Sequence, residues 1–120
     1  MPSPLVNCTE WLEEDISTGD DDEVTCTRAK ETDRCHYITL LHVSTDSTTA
    51  GAAGSIRAIL KFGGTAVLTM WPAEADGNMP MLYSPPFPMK VPVNTAVTFE
   101  SEMTVYTDDR VAFTMGGFTR

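Results

Sequence analysis

Ser55-Ile56-Arg57-Ala58-Ile59-Leu60-Lys61-Phe62-Gly63-Gly64-Thr65-Ala66-Val67-Leu68-Thr69-Met70-Trp71 decides the fold class. Ile56, Ala58, Leu60 and Phe62 fall on one parity, and Arg57, Ile59 and Lys61 on the other. That is the period of two expected of a strand with one face buried. Gly63-Gly64 provides two consecutive residues that accept positive φ without steric cost, so the chain reverses there. Thr65 to Trp71 is the return strand of a hairpin.

Reading outward gives more of the same. Upstream, Tyr37, Ile38, Leu40, Leu41 and Val43 make a nearly continuous apolar strand over His36 to Ser44, followed by a small-residue loop, Ser44 to Gly54. Val24 to Thr27 is a shorter β-prone run. His36 and His42 are an even six residues apart, so they are expected on the same strand face. Downstream, Pro72 to Asn78 reads as a loop. Met79 to Pro92 holds five prolines, which confine it to edge strand, bulge or extended connection because proline donates nothing to a ladder. Ala96 to Ser101 and Met103 to Tyr106 are strands, Asp108-Asp109 is a turn, and Val111, Phe113 and Met115 alternate before Gly116-Gly117. No heptad, amphipathic helix or internal repeat is present. Seven or eight short strands with regular turns predict an all-β antiparallel sandwich, jelly-roll-like. An immunoglobulin-type sandwich is the alternative, but its Cys…Trp…Cys spacing is missing.

The first third differs in composition. Residues 1–35 hold ten acids and three bases (net −7), against seven and five over residues 36–120 (net −2). Residues 1–23 therefore read as an acidic arm with a short helical turn near Trp11 and Leu12, and residues 24–120 as the sandwich domain. An arm with one large aromatic among acids is either a docking segment or a mobile tail. The run Asp20 to Glu23 repels itself and is solvated; it lacks the spaced ligands of an EF-hand.

Size and charge exclude several classes. One hundred and twenty residues form one domain. A net charge of −9 is wrong for a nucleic-acid module, which neutralises phosphates with clustered cations. No apolar run approaches the ~20 residues of a membrane span. Met1 to Asp15 has neither a basic nor an apolar signal region, so no signal peptide is expected. Cys8, Cys26 and Cys35 are an odd set and read as free thiols; with no CxxC and no second His pair they give no zinc pattern.

Nor does the spacing single out an active site. The seven acids beyond residue 35 fall in loops or on solvent faces, and no carboxylate pair is set apart for acid–base work. No Gly-x-Ser-x-Gly elbow exposes a nucleophile, and the glycines match no phosphate loop. The chain is therefore expected to be no enzyme and to carry no cofactor or metal. Met70, Met103 and Met115 are read as core filler. Met79, Met81, Leu82, Tyr83 and Phe87 form an apolar patch among prolines, which either covers the end of the sandwich or makes a subunit contact.

The strand order from Tyr37 onward resembles a known group. It comprises Tyr37 to Asp46, a small-residue loop, Ile56 to Leu60 with its glycine turn, and an apolar strand. Leu82…Pro85-Pro86-Phe87-Pro88-Met89-Lys90, Asn94 to Thr98 and a closing Val111 to Phe118 complete it. This is similar to the small β-sandwich structural proteins of tailed bacteriophages, including capsid decoration (cement) proteins and head-fibre modules. The resemblance implies a non-enzymatic virion protein on the capsid surface. It further implies binding to the major capsid protein and assembly as a homo-oligomer (a trimer foremost), with no nucleic acid or membrane as partner. The contact residues expected are Leu5, Trp11 and Leu12 in the arm and Met79, Met81, Leu82, Tyr83 and Phe87 in the patch. The alternative is a tail or fibre module binding host carbohydrate or receptor through Trp71 and Tyr83.

Overall fold

The structure, a computed structural model, describes residues 8–16, 23–47, 56–70, 81–103 and 109–120. Nine strands are present among them: β1 (Thr9–Ile16), β2 (Thr25–Arg28), β3 (His36–Ser47), β4 (Ile56–Phe62), β5 (Thr65–Met70), β6 (Met81–Tyr83), β7 (Met89–Lys90), β8 (Val97–Met103) and β9 (Asp109–Thr119). All pairings are antiparallel. One sheet runs β1-β9-β3-β6, with β7 also on β3; the other runs β2-β8-β4-β5. With β6 and β7 taken as one interrupted strand, each sheet has four positions, and the order is that of a jelly roll.

The expected hairpin is β4–β5. Gly63 and Gly64 both have positive φ, +58° and +89°, and the Gly63 N–H donates to the Ala96 carbonyl at 2.9 Å. Among the described residues, the proline-rich stretch pairs only with β3, at the sheet edge, and its ladder is interrupted between Tyr83 and Met89.

Alternating residues of both sheets meet in one core. Ile38, Leu41, Val43, Val111, Phe113 and Met115 come from one side, and Cys26, Ala58, Leu60, Met70, Val97 and Phe99 from the other. The Phe99 and Phe113 rings meet across the sheets at 4.8 Å. Burying one of the large aliphatic or aromatic side chains among them contributes roughly 1.5–3 kcal/mol.

Three sequence expectations change. Thr9–Ile16 is not arm or helical turn: it is β1, paired residue for residue with Ala112 to Thr119. Residues 1–7 and 17–22 of the expected arm lie outside the described residues. Second, the histidines do not share a face. The register shifts between Ile38 and Leu40, so Thr39 is an extra residue. Such a bulge inverts the parity of everything after it; His36 and Ile38 point inward, and so do Leu41 and Val43, which leaves His42 outward. Third, β9 already begins at Asp109, which the sequence reads as part of a turn, and it runs through Gly116-Gly117 to Thr119. A Cβ on Gly117 would lie 2.0 Å from the Tyr37 carbonyl oxygen and 2.9 Å from Trp11 Cζ2, so only glycine lets β9 lie this close to both neighbours.

Candidate interaction face

β1, β9 and β3 turn one parity inward and the other outward, and the register lines the outward residues up in rows. The first row is Glu10–Phe118–Tyr37–Lys90. Its two rings stack at 4.8 Å and 10°. The second is Leu12–Gly116–Leu40. A Cβ on Gly116 would stand 3.2 Å from Leu12 Cδ1 and 3.4 Å from Leu40 Cβ, so both leucines lean over the glycine. The third is Glu14–Thr114–His42–Leu82, and the fourth Ile16–Ala112–Ser44. A shallow depression between Leu12, Leu40 and Phe118 is floored by Gly116 and Gly117. Leu12 is 62% exposed and Leu82 64%. Leu12 stands at the β1 edge and Leu82 at the β6 edge, with Leu40, Tyr37 and Phe118 between them, so much of this outer face is apolar.

The outer face of the other sheet has the opposite finish. Arg57 on β4 pairs with Glu102 on β8, and Lys61 pairs with Glu100. Ile59, between the two cations, is almost wholly covered. The hydrogen bond from Arg57 holds the Glu102 carboxyl below the ordinary carboxylate range, and the same bond raises the guanidinium. Arg57 and Glu102 stand directly opposite and Lys61 reaches Glu100 diagonally, and opposite charges so placed across an antiparallel pair stabilise a solvated face.

Beneath the apolar face, at the end of the sandwich where β9 closes, lies a buried polar cluster. The Trp11 Nε1–H donates to Thr119 Oγ1 at 3.0 Å, and Thr119 Oγ1 is 2.6 Å from His36 Nδ1. His36 Nε2 is 2.7 Å from the Ala29 carbonyl, which can only accept. The bonds close if Nε2 carries the proton and the Thr119 hydroxyl donates to Nδ1. Every buried donor and acceptor of the cluster is then satisfied, so it reads as a structural clasp. Arg28 lies over the Trp11 ring at 5.4 Å and pairs with Glu13 at 3.1 Å; Glu31 ties Arg34 at 3.1 Å.

The expected contact residues divide. Leu12 and Leu82 are on the exposed face, and Phe87, 79% exposed, is on the 84–88 connection beside it. Trp11 and Tyr83 are on the inner side: Trp11 is a core residue and Tyr83 packs against the core. Burial uses their surface within the fold. Leu5 and Met79 lie outside the described residues, as do Trp71 and the side chain of Met81. Tyr37, Leu40, Phe118 and Lys90 belong to the face but were not singled out in sequence. The signal was there: Tyr37, Ile38, Leu40 and Leu41 are apolar on both parities, and in an antiparallel sheet that puts apolar residues outside as well as in.

Cys26 is buried, with Sγ 3.3 Å from the Phe113 carbonyl. Burial foremost, then the charge of Asp15, pushes its thiol up to about 12, so it is no nucleophile near neutral pH. Among the described residues, no group of three His, Cys, Asp or Glu could hold a metal ion, and no helix is long and apolar enough to cross a membrane. No protein-family model matches the sequence, and no curated protein matches it either.

Proposed function

We propose that this chain is a non-enzymatic structural protein that works by surface contact. Its proposed setting is the virion, as a capsid decoration protein binding and stabilising the major capsid lattice in the form of a homo-oligomer. One observation carries the contact reading: an apolar outer sheet face on an otherwise strongly acidic chain. The jelly-roll order supports the virion setting through the phage resemblance already described. Contacts too weak to hold singly become effective when repeated over a lattice, because each raises the effective concentration of the next. Of the two residues of the carbohydrate reading, Tyr83 packs inward and Trp71 lies outside the described residues.

Antibody labelling of purified phage particles tests the setting. Regular label over the heads is expected. Label confined to the tail would move the proposal to a fibre or receptor role, and unlabelled particles would end the virion reading. A chain lacking residues 1–23 is the wrong probe of the arm, because it also removes β1. Removing residues 1–7 leaves every residue of β1 in place. Full capsid occupancy by that chain would take Leu5 out of the contact.

A further inference from the structure

From the distribution of charge over the apolar face, we infer that its occupant is a second copy of this chain, related by a two-fold axis parallel to the strands. This deepens the contact reading above and rests on it only in that the face is a surface to be covered; it holds or fails without any virion.

The face is roughly 20 Å wide and 25 Å long, from strand spacing and rise, or about 500 Å² on each copy. Two such faces give about 1,000 Å², near the lower limit for a specific interface. Charge then selects the occupant and the orientation. Glu10 and Glu14 stand at the β1 edge of the face, and Lys90 stands at the β7 edge, at the far end of the Glu10 row. Packed sheets keep their strands within about 30° of each other. A two-fold axis along the strands therefore lays β1 of one copy over β6 and β7 of the other. Glu10 meets the second copy's Lys90, twice by symmetry. Phe118 meets Tyr37, and the Leu12 row reaches the level of the 84–88 connection, which Ser84 ties to the Thr39 carbonyl at 3.4 Å. Phe87 is on that connection, so two strongly exposed apolar groups, Leu12 and Phe87, come together. Glu14 comes over Leu82, with His42 one strand further in. A two-fold axis across the strands does the reverse: it sets β1 on β1, with carboxylate facing carboxylate. An acidic chain of −9 needs such a directional match to associate with itself at all.

The test is sedimentation equilibrium of the full chain over a range of concentrations and salt. A dimer with micromolar dissociation constant is expected. Leu12→Glu should weaken it at least ~10-fold, since it puts a charge in the apolar centre of the contact. Leu12 is exposed in the single copy, so the thermal midpoint should hold at concentrations well below the dissociation constant, where both proteins are monomers. Glu10→Lys and Lys90→Glu should each weaken it by about tenfold, and the two together should restore it to within about threefold. Within one copy these residues stand about 14 Å apart across three strand spacings, beyond the ~8 Å screening length of physiological salt, so the rescue can come only from between copies. A monomer at every concentration up to millimolar, a trimer, a dimer indifferent to Leu12→Glu, or a double charge swap that stays weak would each overturn the inference.

Discussion

On the outer face of the four-stranded sheet, Arg57 and Lys61 reach across β8 to Glu102 and Glu100, and Ile59 lies covered between them. On the outer face of the five-stranded sheet, the row from Leu12 through Gly116 to Leu40 carries no charge, and the row above it pairs Phe118 with Tyr37. Both faces come from the same alternation. The first spends its outward positions on cross-strand ion pairs and is finished as it stands. The second spends them on side chains that gain by being covered. Folding alone asks only that the inner parity be apolar, so the outer parity records what each sheet faces.

The largest effect that sharpens this contrast comes from two adjacent residues of β1. Trp11 faces the core and the Thr119–His36 clasp, whereas Leu12 faces out. Trp11→Ala should cost about 3–5 kcal/mol by urea unfolding. Leu12→Ser should cost less than about 1 kcal/mol, because most of that side chain is solvated in the single copy. Equal losses would show that the two sides of β1 are not inside and outside.

Gly117→Ala comes next. Its Cβ has no room beside the Tyr37 carbonyl, a backbone group that cannot rotate away. A loss of about 3 kcal/mol is expected, with β1 or β3 displaced from β9 and the rows of the apolar face broken. A loss below about 1 kcal/mol would mean that β9 has slack between its neighbours. The same alanine at Gly116 meets only leucine side chains at 3.2 Å or more, and should be milder.

The β4–β5 hairpin and the strands β8 and β9 were readable in sequence because their patterns are local. Alternation sets the face and Gly63-Gly64 sets the turn. β1 was not readable, for a physical reason. Four of its eight residues are acids, and two of them, Glu13 and Asp15, lie on the inward parity. They tolerate it because Glu13 pairs with Arg28 and Asp15 accepts from the Thr25 N–H at 2.9 Å. Both partners belong to β2, and nothing in the local pattern announces them. The same limit hid half of the interaction face. Leu82 and Phe87 stood out as apolar residues among prolines. Phe118 and Lys90 enter it only through pairing with residues far away in sequence, and the bulge at Thr39 decides which side Leu40 takes.

A smaller effect probes the inner side of the charged sheet. Cys26 keeps its proton up to about 12 against an ordinary 9.0, chiefly through burial and then through Asp15. The unfolded chain ionises this thiol first, so stability is intact below about 9 and falls as the pH rises from there toward 12. Cys26→Ala should remove that part of the decline, up to about 1.4 kcal/mol per pH unit, leaving the slope due to other groups. In the native protein Cys8 and Cys35, both half-exposed, should alkylate well before Cys26. Equal rates at all three would mean that β2 opens readily from β8.

The smallest effect decides whether the roof over Ile59 is held by charge. Glu102 is lowered from the ordinary 4.5, first by its hydrogen bond from Arg57 and then by the Coulomb pull of Arg57 and Lys61. A carboxyl lowered in the fold stabilises it above its unfolded value, and loses that contribution as the pH falls through the lowered one. Glu102→Gln should therefore lower the thermal midpoint slightly at neutral pH, and less in strong salt, since the pair is exposed and screened. As the pH drops through the carboxylate range, wild type and variant should converge. If the gap persists in acid, Glu102 acts by packing, and the contrast between the two faces reduces to their shapes. If it closes, the four-stranded sheet is sealed by charge, and its contrast with the uncharged Leu12–Gly116–Leu40 row of the five-stranded sheet stands.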